Sequence, residues 1–237
     1  MNDLLVCSYV FSCQEFLVLA ALTGMKRVRL LAEEQIEEPD QKMVNLVLFQ
    51  LYQKKLLTWK REETYAIQPE IRLVFGKMKA AEKEIHIYTR ESRPLLCFWG
   101  EDVVVAETSD HDRAAMKVHA LSKQAFWEEL QERRITPAQE QTGYGPEQTA
   151  SLLAEMQKRC RTLLWGDFWQ QKRFPELLQR EDWVKTIFLL RRGEGEAASE
   201  AVFILDGGLW DFMVYAGKDK MLAELFSAEG LRSALDR

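Results

Sequence analysis

Ser109-Asp110-His111-Asp112 is a stretch where carboxylates and an imidazole crowd together, and such groups can hold a divalent cation. Residues adjacent in sequence seldom converge on one ion, however, and no second His- or Cys-rich cluster supplies the missing ligands. The stretch reads as a loop between strands, and no metal site is expected. Cys7, Cys13, Cys97 and Cys160 contain no C-x-x-C pair, so they read as reduced, mostly buried thiols. His86 and His119 sit in alternating segments, as polar partners to an apolar face.

The chain has no phosphate loop, no dinucleotide fingerprint and no G-x-S-x-G elbow. Gly193 and Gly195 are interleaved with Glu194 and Glu196, whose charges would repel phosphate. The expectation is a protein without catalytic residues, cofactor or metal.

Trp165, Phe168, Trp169 and Phe174 fall within ten residues. Rings at this density either cap a core or form an exposed patch that anchors a protein partner. They are the candidate partner-binding residues, with the Gly193–Ser199 loop beside them. On the exposed reading, alanine at Trp169 weakens partner binding and leaves the fold intact.

These residues need a scaffold. Leu4–Phe11 is short, apolar and rich in β-formers, which predicts a buried strand. Ser12 and Glu15 have capping-box spacing, predicting a helix from Cys13 to about Thr23 that ends at Gly24. After Asp40, a candidate N-cap, Met43, Val44, Val47, Leu48, Leu51 and Leu56 recur at helical spacing, with Asn45, Gln50, Gln53 and Lys54 on the other face. Leu56–Ile67 predicts a hairpin turning at Arg61–Glu63. Pro69 opens a helix whose apolar stripe is Ile71, Val74, Phe75 and Met78.

From Lys83 onward the segments become short and alternating, giving a meander of about four strands that ends at Ser122. A second series begins near Trp183, turns at Asp206-Gly207-Gly208, and ends at Ser227. The closing helices, SKQAFWEEL and SAEGLRSAL, share one pattern 105 positions apart. The fold class expected is α+β: an antiparallel meander plus capped helix used twice with pseudo-two-fold symmetry. A winged-helix-like part precedes the first copy, and a helical segment is inserted before the second. The expected division is 1–134, a linker at 135–148 rich in Pro and Gly, and 149–237, together one compact unit.

Composition narrows the function classes. Of 237 residues, 47% are hydrophobic and 29% charged, with a net charge of −5, as in an ordinary globular protein. The apolar runs Leu4–Phe11 and Phe16–Leu22 are each far short of the ~20 residues a membrane span needs. Without a basic signal-like start, the chain reads as cytoplasmic, with no membrane insertion. The helix, helix, hairpin order at 13–67 allows a winged-helix DNA-binding regulator as the alternative. Residues 1–80 nevertheless balance 11 Lys and Arg against 10 Asp and Glu, and the helix after Asp40 begins with only Lys42. DNA readers need a basic face and use the start of that helix, so no nucleic-acid partner is expected.

One resemblance gathers these segments. EFLVLAALTGMKRVRLL, LYQKKLL, YAIQPEIRLVFGKMKAAEKEIHIYTRES and PLLCFWGEDVVVAETS follow each other in an order similar to the EspG family of type VII secretion chaperones. The matching steps are Leu22-Thr23-Gly24, Gln68-Pro69-Glu70-Ile71 and the turn Gly100-Glu101-Asp102. The resemblance covers 10–130 and, more loosely, 183–237. It implies a quasi-two-fold α/β protein with a central antiparallel sheet. It also implies cytoplasmic capture of small helical secretion substrates, in a mycobacterial or a Gram-positive-type system. FILDGGLWDFMVY departs from the family's Asp-Thr…Gly-Arg pattern, so substrate-binding positions do not carry over one by one.

Overall fold

Ser12 and Glu15 close the first helix on each other. In a computed structural model of the chain, the Glu15 amide donates to Ser12 Oγ at 3.1 Å and the Ser12 amide donates to Glu15 Oε2 at 2.9 Å. Helix α1 (Cys13–Leu22) follows and stops at Gly24, whose φ of +75° suits a residue without Cβ. The structure describes residues 8–25, 40–60, 64–109, 115–137, 146–164, 174–192, 200–208, 210–217 and 220–237. The Asp110-His111-Asp112 group and the whole Gly193–Ser199 loop lie outside them.

The chain divides into two compact units: Met1–Glu82 with Leu95–Lys123, and Lys83–Pro94 with Gln124–Arg237. The division does not run along the sequence. The strand from Lys83 and the helix after Ser122, both expected in an N-terminal half, belong to the second unit.

In the first unit, β1 (Tyr9–Ser12) pairs antiparallel with β7 (Ala115–Leu121), which pairs with β6 (Val103–Thr108), which pairs with β5 (Leu95–Trp99). Helices α1, α2 (Gln41–Gln53) and α3 (Pro69–Lys79) carry the rest of the unit, with β2 (Leu57–Lys60) and β3 (Thr64–Ile67) forming the expected hairpin. Asp40 caps α2 by accepting from the Met43 amide at 2.7 Å. All four residues of the expected α3 stripe are buried. They share a core with Phe11, Phe16, Leu19, Val47 and Leu51, and with Leu96, Phe98, Val104 and Val118 of the sheet. The Phe75 ring lies 5.3 Å from Phe16 and 5.9 Å from Phe11, which makes it the centre of that cluster. All of β5 and all of β6 but Thr108 are buried, Cys97 and Val105 included, so Leu95–Trp99 and Val103–Ala106 read as continuous apolar runs.

In the second unit, β4 (Lys83–Thr89), β8 (Val184–Arg192), β9 (Glu200–Asp206), β10 (Asp211–Gly217) and β11 (Met221–Leu225) pair antiparallel in that order. The segment KMLAELF, ambiguous by pattern, is the edge strand β11; its residues are only partly covered. Helices α5 (Pro146–Leu164) and α6 (Phe174–Arg180) pack Met156, Cys160, Phe174, Leu177 and Leu178 on Leu189, Phe203, Phe212 and Val214. Two more helices are α4 (Lys123–Glu132) and α7 (Ala228–Asp236), the latter capped by Ser227 as its spacing predicts. Arg232 of α7 lies over the Trp127 ring of α4 at 5.5 Å. At the head of the expected linker, Ile135 and Thr136 are buried, and the Ile135 carbonyl accepts from Thr186 Oγ1 at 2.8 Å. Among the described residues the architecture is α+β, with seven helices and antiparallel sheet.

Candidate partner-binding surface

The expected aromatic patch separates into two cases. Trp165, Phe168 and Trp169 lie outside the described residues. Phe174 is inside them and is 4% exposed, with its ring 5.1 Å from Tyr88 in the core of the second unit. Its aromatic character serves packing, because as the first residue of α6 it faces the sheet beside Leu177 and Leu178.

Two of the three histidines, His86 and His119, lie among the described residues. His86 is buried on β4, with Nε2 3.8 Å from Glu84 and its ring stacked near Tyr88. His119 is buried on β7. Among the described residues no group of three His, Cys, Asp or Glu could hold a metal ion, and no helix is long and apolar enough to cross a membrane. In the second unit a cavity of about 330 Å³ is lined by Tyr88, Thr89, Arg90, Ser92, Pro94 and Leu178. Along that lining, Arg90 donates to the Glu181 carbonyl, and the Thr89 and Ser92 hydroxyls lie 2.6 Å apart.

Helix α2 is different. Val47 and Leu51 point into the first core, as the helical spacing requires. Leu46, Phe49 and Tyr52 stand on the other side and are 53%, 58% and 45% exposed. At i, i+3 and i+6 they form one slanted row on the solvent face. Sequence reading assigned that face to Asn45, Gln50, Gln53 and Lys54 and missed the row. The available signal was that Met43–Tyr52 is apolar nearly all round, which a helix needs only when both faces are covered. Just after α2, Trp59 of the hairpin is 56% exposed and rests edge-on against Tyr65 at 5.0 Å. Large exposed apolar side chains clustered on consecutive elements mark protein contact surfaces.

The charge on α2 also matters. Residues 41–60 hold Lys42, Lys54, Lys55 and Lys60 and no Asp or Glu. Lys54 is taken: its ammonium lies 2.7 Å from Glu15 Oε1 and donates to Oε2 at 2.8 Å. Lys42 is exposed one turn before Leu46, and Lys55 is exposed past the helix end at φ 60°. The solvent face therefore carries the apolar row beside the uncharged Asn45, Gln50 and Gln53, with Lys42 and the Asp40 cap at one end and Lys55 past the other.

No family model matches the chain, and no curated protein sequence matches it. A solved structure does: the Mycobacterium tuberculosis type VII secretion system chaperone EspG5 in complex with a PE25–PPE41 dimer. The likeness has a TM-score of 0.51 at 12% identity and covers 97% of this chain and 96% of that one. What this chain shares with that chaperone, over nearly the whole length of both, is the fold.

Proposed function

We propose that this chain is a non-enzymatic binding protein that acts as a cytoplasmic chaperone for small helical export substrates. The observation that carries the reading is the exposed row Leu46, Phe49 and Tyr52 on a helix whose other face is already packed. Such a row, at helical spacing, suits a partner helix laying its apolar stripe alongside. The likeness in fold to a chaperone solved with its PE25–PPE41 partner supports the same class of role. The order of four strands and a serine-led helix, at Lys83–Glu132 and again at Val184–Asp236, supports one scaffold used twice with pseudo-two-fold symmetry. In this reading α1, α2 and the β2–β3 hairpin are the winged-helix-like addition, used for protein rather than DNA.

Site-specific photocrosslinking in the native cytoplasm tests the proposal. A photoreactive residue at position 49 should capture a helical segment of a secreted protein, whereas one at exposed Leu222 should not. Equal labelling at both positions, or capture of nucleic acid at 49, overturns it.

A further inference from the structure

We infer that the outer edge of β11 is a self-association site, where two copies of this chain pair their β11 strands antiparallel about a two-fold axis at Leu222. Strand β11 pairs with β10 on one side and, among the described residues, with no strand on the other. The direction of its backbone groups follows from the bonds at its two ends. The Gly217 amide donates to the Lys220 carbonyl at 2.8 Å, and the Phe226 amide donates to the Asp211 carbonyl at 2.9 Å. In this register Lys220, Leu222, Glu224 and Phe226 turn their amides and carbonyls toward β10, so Met221, Ala223 and Leu225 turn theirs outward. Gln157 of α5 agrees with that direction, since it donates to the Met221 carbonyl at 3.0 Å. The carbonyl keeps a second lone pair for a further donor. The side chains divide in the same way: Met221, Ala223 and Leu225 pack on the core of the second unit, while Lys220, Leu222 and Glu224 are exposed, Leu222 at 42%.

The sequence of this edge selects its occupant. A closed dimer needs a self-complementary surface, and a strand pair needs outward-turned residues opposite outward-turned residues. With the axis at Leu222, Met221 lies opposite Ala223 of the second copy and exchanges both backbone bonds with it. The two Leu222 side chains meet at the axis, and Lys220 of each copy lies opposite Glu224 of the other. The other registers lose this match. An axis at Glu224 opposes two carboxylates, one at Ala223 sets Glu224 against Leu222 and Lys220 against Phe226, and one at Met221 sets Lys220 against Leu222. Proteins protect an exposed edge with proline, a bulge or repelling charge. Strand β11 has no proline, pairs with β10 without a register shift, and carries two charges that attract their symmetry mates. An unrelated extended peptide would make the same backbone bonds, but it would not call for opposite charges placed evenly about Leu222.

The test is self-association of the full chain, followed by sedimentation velocity over a wide range of concentration, where a reversible monomer–dimer equilibrium is expected. K220E and E224K should each weaken the dimer about tenfold, because both opposed pairs become like charges. Mixed together, the two variants should form a heterodimer of parental strength, since every opposed pair again joins a lysine to a glutamate. That recovery also shows both variants to be folded. L222C should oxidise to a covalent dimer through position 222, because residues opposed in a non-hydrogen-bonded antiparallel pair have Cα atoms about 4.5 Å apart, within disulfide range. K220C should cross-link when mixed with E224C and not with itself. A chain that stays monomeric at every concentration and leaves L222C uncross-linked overturns the inference. So does a dimer that K220E and E224K leave unchanged, or cross-linking of K220C to itself, which moves the axis. An edge that binds an extended peptide and never pairs with itself belongs to another occupant and overturns it too. A photoreactive residue at Leu222 should capture a second copy of this chain and no secreted protein, so failure of this inference and failure of the helix-capture reading are told apart.

Discussion

Lys54, at the end of α2, and Glu15, in the first turn of α1, meet across 39 residues of chain with the lysine ammonium 2.7 Å from the carboxylate. The Glu15 carboxylate also accepts from the Ser12 amide, so one buried side chain both caps α1 and ties it to α2. Removing it leaves the Ser12 amide without its acceptor and the helix pair without its clamp. We expect Glu15→Ala to cost about 1–3 kcal/mol and Lys54→Ala less than about 1 kcal/mol, because the half-exposed ammonium is solvated. Urea denaturation of the two variants checks the ranking.

The two faces of α2 should respond oppositely to substitution. Leu51 is fully buried, and Leu51→Ala should destabilise by about 2–5 kcal/mol through the cavity it leaves. Phe49→Asp should leave stability within about 0.5 kcal/mol of the parent, since its ring is largely in solvent. Paired thermal melts separate the cases. An unfolded F49D would show the ring to be structural and remove the basis for a binding role.

At the β9–β10 turn the adjacent glycines do different work. A Cβ on Gly207 would lie 2.2 Å from Cε2 of Phe212, a fully buried ring, so Gly207→Ala should cost about 1–3 kcal/mol by forcing that ring off its site. Gly208 has open space around it but a φ of +88°, and its amide donates to Asp206 Oδ1 at 2.8 Å. Gly208→Ala should cost about 1 kcal/mol, from backbone conformation alone. Equal losses in denaturation experiments would refute the steric account of Gly207.

Burial pushes the Cys160 thiol up from 9.0 to about 12. In the unfolded chain the thiol ionises near pH 9 while in the folded core it stays protonated. Between these values the unfolded state therefore binds fewer protons, and stability falls as pH rises from about 9 toward 12. Cys160→Ala should flatten that part of the stability profile while lowering stability at neutral pH. Native Cys160 should also resist alkylation at pH 8, which mass spectrometry reads directly.

Phe174→Ala should destabilise the second unit by about 3–5 kcal/mol, because it removes a buried ring that touches Tyr88 and the α6 core. Loss of near-ultraviolet dichroism at lower denaturant checks it. Folding unchanged from the parent would return Phe174 to the list of partner-binding candidates.

Local interactions were legible from the residues themselves. The Ser12–Glu15 box, the Asp40 and Ser227 caps, Pro69 at a helix start and the stripe Ile71, Val74, Phe75 and Met78 depend on neighbours within a turn or two of chain. The α+β class followed from the same local patterns. What lies far apart in sequence was decided by tertiary packing. Hydropathy alone cannot tell the covered side of α2 from the open one, because Leu46 and Leu51 are the same residue type. Only the placement of α1 and the sheet makes Val47 and Leu51 core and leaves Leu46, Phe49 and Tyr52 in solvent. In the same way Phe174 looked like part of a surface patch until α6 turned it onto the strands. A side chain's type expresses its preference for burial, and the long-range contacts of the fold determine whether that preference is met.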